Sequence, residues 1–366
     1  MGKDRGGSRL EEPRKGHTAR KVLLTLILLT IVSTAALFVW YRFFFAVAPD
    51  VPSLDDGAAF HPPEFNEDDA RLGAGDRAPE GVTDEDRKQT FYTVLIIGVD
   101  GGANTDTIMV ASYDDVKKEA NLISLPRDTL VNVSRKVKKI NAAYPAGMSG
   151  SQSKDKAERV AAGAAQLGRE IKTLISFTPD FYVVIDLNAF VRIIDTVGGV
   201  EIDVPYAMRY RDPTQGLSIN IAKGLQTLNG ADALKFARYR RGSSGYRTIS
   251  DYDRIENQQA VIKALLEKIK SPANILKIGE FVDIFSENVY TDLETGNLFW
   301  FAEQIAGLRG SDALATYTLP MAGTSGSPSW YEYVDREKAL ELVNSTINPY
   351  GVPVRPEDVD ILNRAP

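Results

Sequence analysis

From Val22 to Tyr41 the chain reads VLLTLILLTIVSTAALFVWY, twenty residues without a charge. A helix needs about 20 such residues to cross a bilayer core, and no other feature of the sequence narrows the possible folds so far. Arg20 and Lys21 close the run on one side, while Trp40, Tyr41 and Arg42 supply residue types favoured at the membrane interface on the other. Residues 1–21 hold seven basic and three acidic residues, a net +4. The positive-inside bias therefore predicts a cytoplasmic start, a membrane helix over residues 22–47 and an extracellular remainder. Ala46-Val47-Ala48 also has the small-x-small form of a signal-peptide cleavage site; the length of the apolar run favours an uncleaved, single-pass anchor in the cell membrane.

Beyond the anchor the charge reverses. Residues 43–90 carry twelve acidic and four basic residues, a net −8, and the part from 48 on is rich in Pro, Gly and acid. Such a composition predicts a solvated extracellular linker over residues 48–90. The chain as a whole carries a formal −6, with a cluster of basic residues at its start, which argues against nucleic acid as a partner. There is no cysteine, and the two histidines are His17 and His61. Thiolate metal sites, cysteine nucleophiles, Ser-His-Asp triads and His-ligated zinc are thereby excluded from anything folded after residue 90. Carboxylates, Lys, Arg, hydroxyls and a hard cation held by oxygen remain.

Regular structure begins at Phe91. FYTVLIIGVD, TIMVASYD (107–114) and ANLISLP (120–126) predict three strands, and an Ala-rich apolar stripe over 153–176 predicts a helix. FYVVID (181–186) predicts a strand, 187–197 a helix closed by Gly198-Gly199, and VEIDVP a further strand. A short apolar run LSINI and a helix ADALKFA follow. Helices are expected at 256–268, 272–285 and 295–308, then a strand ATYTLP and a helix over 335–344. Strands alternating with helices indicate an α/β layer architecture in one domain over residues 91–350, followed by an exposed tail at 351–366.

The chemistry concentrates in FARYRRGSSGYRTISDYDRIENQQ (236–259). It holds Arg238, Arg240, Arg241, Arg247 and Arg254, interrupted by a flexible glycine-serine stretch, Gly242 to Gly245. Arginine at this density suits phosphate, because its fork pairs two N–H groups with two oxygens; a solvated charged loop is the alternative. Arg238 and Arg240 share a face if extended, and Arg254 and Gln258 share a face at a helix start. Asp100 ends the first strand and Asp106 closes the glycine-rich loop after it, where α/β sheets place ligands and where two carboxylates could hold Mg²⁺; a pair of turn aspartates is the alternative. In SLPRD, Arg127 beside Asp128 projects after Pro126 as a site group or a surface pair, and Lys139 in KKIN is a weaker candidate.

Together FYTVLIIGVD, the Thr105–Thr107 TDT, ISLPRD, KINAAY, FYVVIDLNAFVRIIDTVGGVEIDVP, KGLQTLNGADALKFARYR and DYDRIENQQ resemble the LytR-CpsA-Psr family of cell-envelope phosphotransferases. The resemblance implies that residues 91–350 are the catalytic domain, a single α/β/α sandwich with a central mixed sheet, of an Mg²⁺-dependent (or Mn²⁺-dependent) enzyme of a Gram-positive envelope. Such an enzyme would move a teichoic-acid-like, capsular or secondary wall polysaccharide from undecaprenyl pyrophosphate to peptidoglycan, with the prenyl tail in an apolar tunnel. By position, Asp100 and Asp106 match the family's acidic pair for metal and base work, and Arg127 and Arg240 join them as catalytic candidates. Arg127, Lys139, Arg238, Arg240, Arg254 and Gln258 are the candidates for holding pyrophosphate. Two departures stand out. The loop GGANTD lacks the arginine that usually precedes the second aspartate, and the family's Arg-Gln pair is Asn257-Gln258 here. They imply a less positive site, with Arg241 or Arg247 as substitutes. A non-catalytic binder of polyprenyl pyrophosphate or polyanions, and a pyrophosphatase acting on the carrier, are the alternatives.

Overall fold

The structure is a computed structural model that describes residues 27, 29–34, 46–54, 79, 81–100, 105–213, 217–275, 277–308, 314–326 and 330–362. The chain divides into two units, Met1–Ala48 and Pro49–Pro366. In the first, the described residues 29–34 are helical, and the Thr34 hydroxyl donates to the Thr30 carbonyl at 2.7 Å. Among the described residues no helix is long and apolar enough to cross a membrane. Most of the expected anchor and most of the expected linker lie outside the described residues.

The second unit is organised by a six-stranded sheet. Its first three strands, β1 (Phe91–Val99), β2 (Thr105–Asp114) and β3 (Glu119–Ser124), form an antiparallel meander, with Leu95 opposite Val110 and Ala111 opposite Leu122. Helices α1 (Ala143–Gly150) and α2 (Lys156–Ile175) then lead to β4 (Phe181–Asp186), which pairs parallel with β1. Asp155 caps α2, accepting from the Ala157 and Glu158 N–H groups. Such a cap satisfies donors that a helix start leaves unpaired.

After α3 (Leu187–Thr196), two antiparallel pairs form outside the main sheet. They join β5 (Val200–Val204) to β8 (Gly224–Leu228) and β6 (Met208–Asp212) to β7 (Leu217–Ile221). Helices α4 (Gly230–Arg238), α5 (Asp251–Ile269), α6 (Pro272–Ile275) and α7 (Ile278–Asn288) follow. The sheet is completed by β9 (Val289–Thr291), antiparallel to β4, and by β10 (Leu314–Thr318), parallel to β3, with α8 (Thr295–Gly307) between them. Its order is β10-β3-β2-β1-β4-β9, a mixed sheet as expected. A hairpin of β11 (Met321–Thr324) and β12 (Glu332–Val334) precedes α9 (Arg336–Thr346).

The pleat decides what each face does. Successive side chains of a strand point to opposite faces. Leu95 and Ile97 of β1, and Ile108 and Val110 of β2, enter a buried core with Leu167, Ile171 and Leu174 of α2 and Leu340 and Val343 of α9. The alternate residues, Val94, Ile96 and Gly98 with Thr107, Met109 and Ala111, line a cavity instead.

Three expectations are corrected. The helix expected from Glu256 starts at Asp251, because Ser250 and Asp253 form a capping box. The helix expected over 272–285 is broken into α6 and α7. The expected tail is anchored over its described residues 351–362: Val354 and Ile361 are buried in the α2 side of the core, and the Asp360 N–H donates to the Thr173 carbonyl at 2.8 Å.

Candidate active site

The cavity on the free face of the sheet has a volume of about 1380 Å³. Opposite the sheet it is walled by apolar side chains of α5, α7 and α8, among them Ile262, Leu266, Phe281, Leu298 and Phe299. Charged residues also border it: Arg127, Arg240, Arg254 and Asp106, which lie together, and Arg238, Arg241, Asp100, Asp186, Asp212 and Glu303. A largely apolar cavity thus meets a cluster of arginines and aspartates, here termed its mouth.

Local structure explains how these residues, far apart in sequence, arrive there. Pro126 and Thr129 close a tight turn after β3, with the Thr129 hydroxyl donating to the Pro126 carbonyl at 2.6 Å, and Arg127 stands on it. The Thr105 hydroxyl donates to the Asn141 carbonyl and the Asn141 N–H to the Arg127 carbonyl, so the head of β2, with Asp106, is fastened beside that turn. From the other side, Gln259 Nε2 donates to Ser124 Oγ at 2.9 Å and to the Tyr317 carbonyl at 2.8 Å. That sets the first turns of α5, carrying Arg254 and Gln258, over the end of β3.

The charges form one connected network. Arg127 Nη1 donates to Asp106 Oδ1 at 2.9 Å, and Arg254 Nη1 is 3.9 Å from the same oxygen. Asp251, at the start of α5, is within 3.2 Å of Arg240 Nε, 3.6 Å of Arg127 Nε and 3.7 Å of Arg254 Nη2. Among the described residues, Arg127 Nε and Arg254 Nε are buried without a hydrogen-bond partner. These contacts with Asp251 are therefore held by charge more than by hydrogen bonding. Burial opposes the charge of Arg127, but Asp251, Asp128 and Asp106 outweigh it and raise its pKa. Arg254 has only 6% of its side chain exposed; burial, aided by Arg127 and Arg240, lowers its pKa. Burial also raises the Glu332 carboxyl, and Tyr252 donates to it at 3.3 Å.

The sequence-based candidates separate accordingly. Asp100, Asp106, Arg127, Arg238, Arg240, Arg254 and Gln258 all border the cavity, and so does Arg241. Lys139 does not: its ammonium donates to Asp128 at 2.7 Å, one residue behind Arg127. Nor does Arg247, which pairs with Asp253 at 3.3 Å and stacks over Tyr206. Asn257 is buried with its amide 3.5 Å from the Phe236 carbonyl and also stays off the cavity.

The glycine-serine stretch is fastened rather than loose. Ser243 N–H donates to the Arg209 carbonyl, Ile249 N–H donates to the Arg240 carbonyl, and a Cβ at Gly242 would collide with the Tyr246 carbonyl. Two carboxylates of the network were not foreseen. Asp251 had a signal, its place three residues before Arg254 at a helix start. Glu332 had none.

The fold and site together define an α/β protein with a largely apolar cavity bordered by an arginine-rich cluster. The chain belongs to the LytR_cpsA_psr family, whose model matches residues 66–348. It is 28% identical over 219 residues to the Bacillus subtilis polyisoprenyl-teichoic acid–peptidoglycan teichoic acid transferase TagV, covering 57% of this chain and 51% of that protein. To the Oceanobacillus iheyensis transferase TagU it is 29% identical over 267 residues, 71% of this chain and 76% of that one. The match thus spans about half the length of the first relative. The crystal structure of B. subtilis TagV superposes with a TM-score of 0.55 at 25% identity, over 70% of this chain and 97% of that one.

Proposed function

We propose that this protein transfers a phosphate-linked glycopolymer from an undecaprenyl-pyrophosphate carrier to a hydroxyl of peptidoglycan, at the outer face of a Gram-positive cell membrane in which residues 22–47 anchor it. The observation that carries the proposal is one largely apolar cavity whose lining also includes five arginines, three of them joined around Asp106 and Asp251. A long hydrocarbon tail fits an apolar cavity, and arginine forks fit the oxygens of a diphosphate. The names of the TagV and TagU relatives support teichoic acid as the polymer class and peptidoglycan as the acceptor.

In this reading the acceptor oxygen bonds to the phosphorus that carries the polymer, and the bond from that phosphorus to the oxygen of polyprenyl phosphate breaks. The hydroxyl proton passes to Asp106 or Asp100, and polyprenyl phosphate leaves with its tail in the tunnel. Arg127, Arg238, Arg240 and Arg254 hold the diphosphate and offset charge that spreads over its oxygens, the main source of rate in phosphoryl transfer.

In this reading Asp100 and Asp106 would hold a hard cation. Both border the mouth, and Mg²⁺ takes one or two carboxylates with phosphate oxygens and water completing its shell. Among the described residues no group of three or more carboxylates or other ligating side chains could hold a metal ion, so donor phosphate would complete such a site. When bound, Mg²⁺ or Mn²⁺ would supply further neutralisation of the phosphoryl oxygens.

The test uses the full chain in detergent micelles with a lipid-linked donor and isolated peptidoglycan. Polymer should become attached to peptidoglycan, stop on addition of EDTA and resume with Mg²⁺ or Mn²⁺. Donor binding with no product would replace the proposal by a binding role. Release of free polymer phosphate, with peptidoglycan unmodified, would replace it by pyrophosphate hydrolysis.

A further inference from the structure

Two aromatic side chains stand exposed beside the arginine mouth but outside the tunnel. Trp330 is 61% exposed and Tyr252 40%, and neither borders the cavity. A single exposed aromatic residue is ordinary. These two are brought together by one carboxylate: the Tyr252 hydroxyl donates to Glu332, and Trp330 lies two residues before Glu332. The intervening residue is held in an extended pairing, its N–H donating to Ser325 Oγ and its carbonyl accepting from the Ser325 N–H, both at 2.8 Å. Alternate side chains of extended chain share a side. Trp330 therefore lies on the side of Glu332 that Tyr252 occupies, about 7 Å further along. Tyr331 turns the other way, with its ring 6.0 Å from Lys139 Nζ.

Backbone bonds fix this pair relative to the mouth. Glu332 N–H donates to the Asp128 carbonyl and Leu130 N–H to the Glu332 carbonyl, both at 2.9 Å, which sews β12 to the turn that carries Arg127. Tyr252 itself follows Asp251, the partner of three site arginines. A donor with its tail in the tunnel presents its phosphorus at those arginines, so a second substrate must arrive from outside the tunnel, where Trp330 and Tyr252 stand.

We infer that Trp330 and Tyr252 form a platform on which a sugar ring of the acceptor glycan stacks; the inference rests on the transferase reading above. The chemistry selects a sugar. A pyranose has an apolar C–H face that matches the face of an aromatic ring, and the reaction needs a hydroxyl at this side of the mouth. The Tyr252 ring is tethered through its hydroxyl, so stacking orders little that is not already ordered.

The test follows a soluble peptidoglycan glycan fragment with the full chain in micelles, both in binding titrations and as transfer acceptor. Trp330→Ala should raise the acceptor KM about tenfold or more while donor KM and melting temperature stay at the wild-type values, and Trp330→Phe should recover most of the loss. An unchanged acceptor KM in Trp330→Ala overturns the platform and leaves the transferase reading standing. A rise in donor KM alone, or loss of binding to phosphatidylglycerol vesicles in place of the glycan effect, overturns it as well. If the wild type transfers nothing, the titration decides: glycan affinity that falls about tenfold in Trp330→Ala keeps the platform and removes the transferase reading, and glycan affinity that is absent or unchanged removes both.

Discussion

Arg127 donates through Nη1 to Asp106 at 2.9 Å, joining the turn after β3 to the head of β2 at the tunnel mouth. The Asp106 side chain is 37% exposed, so the pair is open to water and its own contribution to stability is small, about 1 kcal/mol or less. Asp106→Asn should therefore fold with nearly the wild-type melting temperature, yet lose about 100-fold or more in transfer rate, because an amide can neither take a proton nor bind a cation as a carboxylate does. Full transfer by Asp106→Asn in the micelle assay would move proton and metal work elsewhere.

Arg240 and Arg254 share Asp251 but not their surroundings. The Arg240 side chain is 45% exposed and that of Arg254 6%. Arg240→Ala should lower transfer by about two to three orders of magnitude with little thermal cost. Arg254→Ala should lose activity and stability together, by about 1–3 kcal/mol, since it leaves buried polar groups of the network short of a partner. Paired thermal melts and rate measurements separate the two; equal melting shifts would show that burial does not distinguish them.

Much of this arrangement was legible in the sequence. The main strands and the clustering of arginines on one segment follow from local pattern, and Arg238, Arg240, Arg254 and Gln258 do reach one cavity. What escaped depends on contacts between distant segments. Asp251 meets Arg127 from across the chain, and no spacing rule encodes that. Lys139 looked like a phosphate ligand because a lysine carries no mark of the carboxylate, Asp128, that has claimed it. Which strand residues line the cavity was hidden for a different reason. Val94 and Ile96 are apolar because they line a cavity, and Leu95 and Ile97 because they enter a packed core; a continuous apolar run reads the same in both cases.

Glu332 offers a pH test. Burial raises its carboxyl above the ordinary 4.5 even though Tyr252 donates to it. Folding thus favours the protonated acid. That contribution is complete below about pH 4.5 and disappears as pH rises through the folded value, above which the charged form is held against burial. Glu332→Gln keeps an acceptor for Tyr252 without the charge. The variant should melt higher than wild type at neutral pH, with the difference shrinking toward zero as pH falls below the folded value. A difference independent of pH would show that the carboxylate is solvated well enough to carry its charge.

The tunnel can be tested by filling it. Ala302 on α8 borders the cavity, and a tryptophan there would occupy space that a long tail needs while leaving the arginine mouth untouched. A well-packed interior resists added volume, at about 1–3 kcal/mol for an overpacked site, but an open cavity can accept it. Ala302→Trp should therefore fold normally and raise the KM for a long polyprenyl donor by about tenfold, the equivalent of about 1.4 kcal/mol. A donor with a short prenyl chain, which need not reach that depth, should be turned over as by the wild type. The comparison is between the two donors on the same variant. If both suffer alike, the bulk has disturbed the mouth; if neither does, the tail does not run past Ala302 and this cavity is not where the carrier is held.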